Sequence, residues 1–268
     1  MTGRDLIVLA VPSTATRQTA HNMAEWIPEG QQVITVSKGI EEGTLMTQCQ
    51  IVEDELPQAV VGILSGPSHA EEVIRHLPTA IVAGAKDRRL AVFVQELFMN
   101  EYFRVYTSPD VHGIEVGGSL KNVIALAAGM SDGLGFGDNT RAALMTRGIK
   151  EISSLARQMG GEAETLSGLT GIGDLIVTCA SVHSRNHQAG LYIGQGLSTE
   201  EAMKKVNMVV EGVHCAKAAR ALSEKYGIDL PIISVVNQVL FEGKSAREAV
   251  ISLMNRHKKS EIEGMTWE

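Results

Sequence analysis

Short apolar runs that alternate with helical segments constrain the fold of the first 107 residues most strongly. The runs are β-prone, end at turn residues, and span residues 6–11, 33–36, 60–64, 80–83 and 103–106. The segments between them have helical character and cover about residues 14–26, 44–55, 69–75 and 87–99. Continuous apolar strands separated by helices are typical of a parallel sheet covered on both faces. We therefore predict an α/β domain whose ligands bind at the carboxyl ends of the strands.

The pattern changes at about residue 114, because no later apolar run is bounded by turns in the same way. A helix is predicted over about residues 139–159, where Met145, Ile149 and Ile152 recur at helical spacing. Further helices are predicted at about residues 199–206, 211–226, 231–241 and 245–254. We predict a first domain of residues 1–113 and an all-α domain of residues 114–268, with a ligand site in the cleft between them.

The segment at this junction, residues 114–129, carries one lysine among apolar and small residues. Val116, Leu120 and Val123 lie on one predicted helix face, and the small residues allow other backbones to approach closely. Lys121 has two interpretations. It is a proton donor held in a cleft, or a lysine that extends from a buried helix to water. Buried lysines are rare and tend to be functional.

Polar turns follow three successive predicted strands, at Pro12-Ser13, at residues 37–39 and at residues 65–68. Their residue types suit backbone and hydroxyl contacts to a phosphate, with Lys38 as a point charge, although each turn alone is also an ordinary turn. The glycine-rich segment 131–139 follows a helix instead of a strand, so we interpret it as a helix-to-helix loop and not as a dinucleotide fingerprint.

Three polar positions in the second half have both a functional and a structural interpretation. Asp174 either orients a lysine or binds a substrate hydroxyl, or it caps a helix. Ser184 caps a predicted helix whose first turn holds Arg185 and Asn186, an arrangement that suits a bound anion, although Arg185 could simply be solvated. Glu211 suits a helix start, where its charge complements the helix dipole.

The composition excludes several classes of protein. A net charge of −7 argues against non-specific nucleic-acid binding and against a basic membrane surface. No apolar run approaches the ~20 residues of a membrane span, and the N-terminus does not resemble a signal peptide. The cysteines, Cys49, Cys179 and Cys215, are scattered, so we predict buried thiols, no disulfide, no metal site and a cytoplasmic location.

Seven motifs, in the same order along nearly the whole chain, resemble the bacterial NAD(P)-dependent glycerol-3-phosphate dehydrogenases. The motifs are SKGIE at 37–41, SGPSHAEEV at 65–73, EVGGSLKNV at 115–123, DGLGFGDNTRAA at 132–143, GIGD at 171–174, SRN at 184–186 and VEGV at 210–213. The resemblance implies a partial doubly wound, Rossmann-like sheet and an all-helical substrate domain of the 6-phosphogluconate-dehydrogenase C-terminal type. The apolar helical half also leads us to expect a homodimer.

The resemblance also implies an activity and a site. The activity is the interconversion of dihydroxyacetone phosphate and sn-glycerol 3-phosphate with NAD or NADP, in which Lys121 donates and accepts the proton. The residues implied to contact this small phosphorylated substrate are Lys38, Gly66, Ser68, Lys121, Asp174, Ser184, Arg185 and Asn186. Those implied to contact the cofactor are Lys38, Ala70, Arg185, Val209 and Glu211. The residue types agree with these roles, since a cationic acid suits a carbonyl that gains negative charge.

The family begins with a strand, a GxGxxG turn and a helix, which precede the first strand predicted here. That strand resembles the fourth of a doubly wound sheet, and its apolar edge would be open. We therefore expect this chain to be an N-terminally shortened form of a longer enzyme. Two other interpretations stay open: a related dehydrogenase for another small hydroxy acid, and an inactive remnant that serves in oligomerisation. The choice between NAD and NADP also stays open.

Overall fold

The first domain is built on one five-stranded sheet in a computed structural model that describes residues 3–261. The strands follow each other in space as they do in the chain: β1 (Leu6–Leu9), β2 (Gln32–Thr35), β3 (Val60–Ser65), β4 (Thr79–Ala85) and β5 (Phe103–Ser108). All five correspond to the predicted apolar runs. The sheet is mostly parallel, which confirms the Rossmann-like assignment.

One strand pair departs from the prediction, because β4 runs antiparallel to β3 while the other three pairs are parallel. The cause is the connection between these strands, whose only helix is α3 (Ala70–Val73). Four helical residues span about 6 Å, whereas a six-residue strand is about 20 Å long. The connection therefore does not carry the chain back along the sheet, and β4 starts where β3 ends.

Helices cover both faces of the sheet, as predicted. They are α1 (Thr16–Met23), α2 (Gln48–Glu55) and α4 (Arg88–Phe98). One apolar cluster joins strand residues such as Val33 and Val61 to α1 and α2, and a second joins Ile34 and Val105 to α4. Among the described residues β1 pairs only with β2, and Val8 on it is 43% exposed, in keeping with the open edge that was predicted.

The second half is helical, and the predicted helices agree with it to within about three residues at most ends. Its helices are α5 (Val111–Gly133), α6 (Asp138–Gln158), α7 (Ala163–Leu166), α8 (Asp174–Ala180), α9 (Arg185–Gly194), α10 (Thr199–Val206), α11 (Glu211–Tyr226), α12 (Pro231–Phe241) and α13 (Ala246–Met254). The short stretch Leu169–Gly173 before α8 is a π-helical turn.

Helix α5 lies at the centre of the molecule, and the prediction of a single apolar face was too narrow. From Val111 to Ser131 every residue except His112 is buried, so that all faces of the helix are covered. Its first turns belong to the apolar cluster of the sheet through Ile114, whereas Leu120 and the residues after it belong to the helical core. A helix that is apolar all round is typical of such a central position.

Glycines allow α9 to lie directly against α5, as the small residues of the junction segment predicted. A Cβ atom at Gly129 would lie 2.0 Å from the carbonyl oxygen of His187. On the facing helix, a Cβ atom at Gly190 would lie 2.2 Å from the oxygen of Leu126. The contact places the N-terminus of α9 beside the middle of α5, where Lys121 lies.

A buried carboxylate ties α5 to α2. Glu115 accepts hydrogen bonds from Thr47 Oγ1 at 2.6 Å and from the backbone N–H of Cys49 at 2.7 Å. Burial raises the pKa of Glu115 to about 7, although these hydrogen bonds lower it in part. The first residue of α2, Gln48, donates to the carbonyl oxygen of Gly39 at 3.1 Å. The turn that carries Lys38 is therefore connected to the helix that carries Lys121.

Two smaller predictions are confirmed. The glycine-rich segment that starts at residue 131 connects the end of α5 to the start of α6, so it is a helix-to-helix loop. The three cysteines are free and buried. No single helix within residues 3–261 is long and apolar enough to cross a membrane. The segments Ala163–Ala180 and Arg185–Gly194 reach that length and composition only together, and they are bent by 50° relative to each other.

Candidate active site

A cavity of about 420 Å³ lies between the two halves, at the carboxyl ends of β1, β2 and β3. Nearly all the predicted site residues line it: Lys38, Gly66, Ser68, Lys121, Asp174, Ser184, Arg185, Asn186, Val209 and Glu211. Ala70 does not, and lines a neighbouring cavity of about 520 Å³ that shares Lys38 and Ser68 with the first. The residues thus come from both halves of the chain.

Two lysines share one carboxylate in the wall of this cavity. Lys121 Nζ lies 2.5 Å from Asp174 Oδ1, and Lys38 Nζ lies 2.7 Å from Asp174 Oδ2. Lys121 also donates to Thr178 Oγ1 at 2.8 Å, and Lys38 donates to the carbonyl oxygen of Gly66 at 3.0 Å. This Lys38–Asp174–Lys121 group brings together residues that are far apart in the chain.

The geometry argues against the structural alternative for two of these residues. The side chain of Lys121 is only 8% exposed, so it does not extend to bulk water. Asp174 is 3% exposed and directs its carboxylate at the two ammonium groups, which favours the interpretation that it orients a lysine over that of a helix cap. A buried carboxylate is retained when charged partners satisfy it, and here it has two.

The backbone of Gly66 supports the same arrangement. Its φ angle of +143° lies in a region that glycine adopts readily, and a Cβ atom there would lie 3.0 Å from Cα of Ile81. The residue thus turns the chain at the end of β3, and its carbonyl oxygen accepts from Lys38. A larger residue at this position would displace the turn that holds the Lys38 ammonium.

The pKa of Lys121 is lowered to about 8, first by burial and then by the nearby charge of Lys38, whereas Asp174 opposes both effects. For Asp174, burial raises the pKa, but the two lysine charges outweigh this and hold the pKa below its ordinary value. Because Asp174 keeps its negative charge, Lys121 is mostly cationic near neutral pH and is still able to release its proton.

The N-terminus of α9 forms a second polar wall. The Ser184 side chain caps the helix by accepting from the backbone N–H of His187 at 3.2 Å, as predicted. Asn186 donates to Asn122 Oδ1 at 2.9 Å and accepts from the backbone N–H of Gly212 at 2.8 Å. Arg185 is exposed and lines the cavity. Within residues 3–261 it forms no ion pair, so its guanidinium is available to an anion.

Glu211 connects the start of α11 to the end of β1. Its carboxylate accepts from the backbone N–H of Ser13 at 3.2 Å and from Ser13 Oγ at 2.5 Å. The residue does stand at the first position of its helix, where its charge suits the dipole. Its side chain, however, joins the two halves of the chain beside the cavity.

Several residues of the site were not predicted. Thr178 contacts Lys121 and lies four residues after Asp174, a spacing that places the two on one helix face and would have indicated the pair. Asn122, next to Lys121 in the chain, accepts a hydrogen bond from Asn186. His69 and His183 also line the cavity, and the sequence assigned neither of them to the site.

Comparisons with known proteins agree with one another. Residues 110–251 match the model of the NAD-dependent glycerol-3-phosphate dehydrogenase C-terminus, and residues 1–91 match that of the N-terminus. A glycerol-3-phosphate dehydrogenase [NAD(P)+] of Agathobacter rectalis is 64% identical over 98% of this chain and 78% of its own length. That of Fusobacterium nucleatum is 56% identical over 97% of this chain and 78% of its length.

Solved structures show the same relation. The glycerol-3-phosphate dehydrogenase of Coxiella burnetii superposes with a TM-score of 0.91 at 36% identity, over 95% of this chain and 78% of that one. The yeast enzyme superposes with a TM-score of 0.84 at 24% identity, over 95% of this chain and 76% of that one, a likeness in fold alone.

Proposed function

The chain belongs to the NAD-dependent glycerol-3-phosphate dehydrogenase family, and on that premise we propose a role for each group in the cavity. The protein is an oxidoreductase that interconverts dihydroxyacetone phosphate and sn-glycerol 3-phosphate with NAD or NADP. The observation that carries the proposed roles is the buried ammonium of Lys121, which shares the carboxylate of Asp174 with a second cation.

Lys121 is the proton donor and acceptor at the substrate oxygen. A nicotinamide held by the residues of this cavity would supply the hydride for reduction of the ketone carbon and would accept it in oxidation of the alcohol carbon. In ketone reduction the oxygen gains negative charge and forms an O–H bond with a proton from Lys121 Nζ, which leaves the amine neutral. In the oxidation the neutral amine takes the hydroxyl proton and becomes cationic. Its pKa of about 8 suits both directions near neutral pH.

Lys38 and Asp174 act on this step through charge. The Lys38 ammonium stands on the other oxygen of the Asp174 carboxylate, where it favours the developing oxyanion and lowers the pKa of Lys121. Asp174 holds both ammonium groups in place and opposes that fall in pKa. Thr178 fixes the direction of the Lys121 side chain by accepting one of its hydrogens.

The phosphate binds at the N-terminus of α9. This helix is ten residues long and is capped by Ser184, and its N-terminus presents backbone N–H groups and a positive dipole end to an anion. Arg185 adds a cationic fork that matches phosphate oxygens. Asn186 is held from both ends of its amide, so its remaining hydrogen is oriented before the substrate arrives. Gly66 and Ser68 contact the substrate from the opposite wall.

The residues present also fit the nicotinamide end of the cofactor. Val11 and Pro12 form an apolar part of the wall at the end of β1, and Val209 is 39% exposed within the same cavity. An apolar surface of this kind suits the face of a flat ring, and Glu211 stands beside it. The groups proposed to hold the cofactor are Lys38, Ala70, Arg185, Val209 and Glu211.

The pH dependence of the two directions is expected to be opposite. Only cationic Lys121 donates a proton, so kcat/KM for ketone reduction should be level below its pKa of about 8 and fall above it. The oxidation needs the neutral amine, so its kcat/KM should rise with pH and level off above about 8. Initial rates measured in both directions on one buffer series test this. The role of Lys121 is wrong if both limbs have the same sign.

Selectivity for the phosphate tests the substrate assignment. Replacing Arg185 by glutamine removes the charge that is proposed to hydrogen-bond to the substrate phosphate. This loss should raise KM for dihydroxyacetone phosphate by about 10- to 100-fold. The same variant should treat unphosphorylated dihydroxyacetone as the unsubstituted protein does. Steady-state kinetics with both ketones, with Arg89→Gln as an exposed control, decide the point. Equal loss with both ketones would favour a dehydrogenase for another hydroxy acid, and no turnover by the unsubstituted chain would favour an inactive remnant.

We also propose the domain division, the compartment and the oligomeric state of the protein. The chain divides into a dinucleotide-binding domain of residues 1–113 and a substrate domain of residues 114–268, since the core changes along α5. Three free thiols support a reducing compartment, the cytoplasm. A homodimer is proposed from the apolar helical half, and light scattering on the purified protein tests it.

A further inference from the structure

Two histidines meet across the cavity from opposite halves of the chain. His69 follows β3 in the first half, and His183 precedes α9 in the second. Their ring centroids lie 6.2 Å apart with the ring planes at 60°, an edge-to-face contact. Both residues line the cavity, and His183 is exposed as well, so it stands at the rim. The two rings therefore form a contact between the domains beside the phosphate wall.

The ring of His69 has one nitrogen that the protein does not satisfy. Nε2 is buried, and no group within residues 3–261 forms a hydrogen bond with it. Buried polar atoms are nearly always paired, because an unpaired one loses the hydrogen bond that it makes with water. The residue itself lines the cavity, so a rotation of its ring about the Cβ–Cγ bond would turn this nitrogen towards an incoming ligand. A phosphate oxygen, which only accepts, would select the tautomer with the proton on Nε2.

The net charge of the cavity walls does not balance the charge of a bound phosphate. Its walls carry the cations Lys38, Lys121 and Arg185 and the carboxylates Asp174 and Glu211, an excess of one positive charge. A phosphate monoester carries about −1.5 to −2 near neutral pH. The negative charge that remains needs N–H donors, and both imidazoles line the same cavity as Arg185. His183 precedes Arg185 by two residues, so its ring belongs to the same loop and helix start as the proposed phosphate site.

We propose that His69 and His183, the histidine clamp, bind the phosphate of the substrate beside the α9 N-terminus, with His69 on the wall formed by the first half of the chain. His69 Nε2–H donates to a phosphate oxygen, and His183 packs against its ring at the rim. The inference rests on the proposed function, and it deepens that function by adding a specificity determinant. One phosphate would then contact both domains, so that a ketone without phosphate does not hold the two walls together.

The test compares phenylalanine substitutions, which keep a flat ring and remove the nitrogens. His69→Phe should raise KM for dihydroxyacetone phosphate about tenfold, the effect of one lost hydrogen bond to a charged group, and leave kcat within about threefold. His183→Phe should have a smaller effect in the same direction. His69→Gln keeps an N–H donor and should recover part of the affinity. KM for unphosphorylated dihydroxyacetone should not change.

His112→Phe is the matched control. Its Nδ1 is also buried without a partner, but the residue lies at the start of α5 and does not line the cavity. This variant should leave KM for both ketones unchanged. Thermal denaturation of all variants separates folding from binding. If His69→Phe and His112→Phe have the same affinity for the phosphate ester, the clamp does not exist.

A binding measurement keeps the clamp separate from the activity. Calorimetry with sn-glycerol 3-phosphate and with glycerol, on the whole chain without turnover, should show His69→Phe weakening only the former. Titration with the phosphate ester should move the ¹⁵N resonance of His69 Nε2 and not those of His112. Affinity lost equally for both ligands, or a stationary His69 resonance, would overturn the proposal. Normal binding with no turnover would instead contradict the proposed function.

Discussion

Lys121→Met is expected to lower kcat for dihydroxyacetone phosphate by about 10²–10⁴-fold, the range that general acid catalysis contributes. Methionine has a similar length and fills the buried volume, but it has no proton to give. Asp174 keeps its second partner, Lys38, so its charge is not left unpaired by the substitution. KM for the ketone should change little, because the phosphate contacts are untouched. Steady-state and single-turnover rates in both directions measure the loss.

The control for this variant is Lys86→Met, which removes an exposed ammonium paired with Glu53 at 2.8 Å. It should retain kcat within about twofold, because exposed ion pairs contribute little. The pH limb near 8 should disappear in Lys121→Met and persist in the control. A loss of no more than about tenfold for Lys121→Met would contradict its role as the acid.

Gly129→Ala is expected to destabilise the protein by about 3 kcal/mol or more, or to prevent the isolation of folded protein. The new methyl group would lie 2.0 Å from the carbonyl oxygen of His187 and 2.8 Å from the backbone nitrogen of Leu191. These are backbone atoms of a packed helix, so α9 as a whole must move away from α5. Denaturant unfolding followed by circular dichroism measures the change.

Gly173→Ala serves as the control for this effect. Its backbone is helical, with φ of −61°, and the nearest atom to an added Cβ would lie 3.5 Å away, an ordinary contact. The free energy of unfolding should therefore change by less than about 1 kcal/mol. Any folded Gly129→Ala protein should also bind sn-glycerol 3-phosphate less tightly, because α9 carries Arg185 and Asn186. Unfolding transitions that coincide for the two variants would show that the close helix contact is not needed.

Much of the secondary structure follows from local signals. The predicted ranges 211–226 and 231–241 coincide with α11 and α12, because Gly227 ends the first in a left-handed conformation and Pro231 starts the second. The direction of β4 could not be obtained in this way. The direction depends on whether the connection between β3 and β4 carries the chain back along the sheet. The helix predicted in this connection had seven residues, whereas α3 has four and is too short for such a crossing.

The site divides in the same manner. A single lysine in an apolar segment and a serine–arginine pair at a helix start indicated Lys121 and Arg185 from sequence. Thr178 and His69 were missed, because a threonine inside a helix and a histidine after a strand are ordinary in sequence. They stand out only through what faces them, which is the ammonium of Lys121 in one case and the cavity in the other.

By itself the sequence determined the alternation of strands and helices, the ends of most helices, and the presence of a lysine where apolar residues dominate. These depend on neighbours within a few positions of the chain. Only the tertiary structure decided that α5 is enclosed on all sides and that Lys121 meets Asp174, 53 residues away, which in turn meets Lys38 across 136 residues. The pKa of an amine follows from the water removed around it and the charges beside it, and packing places both.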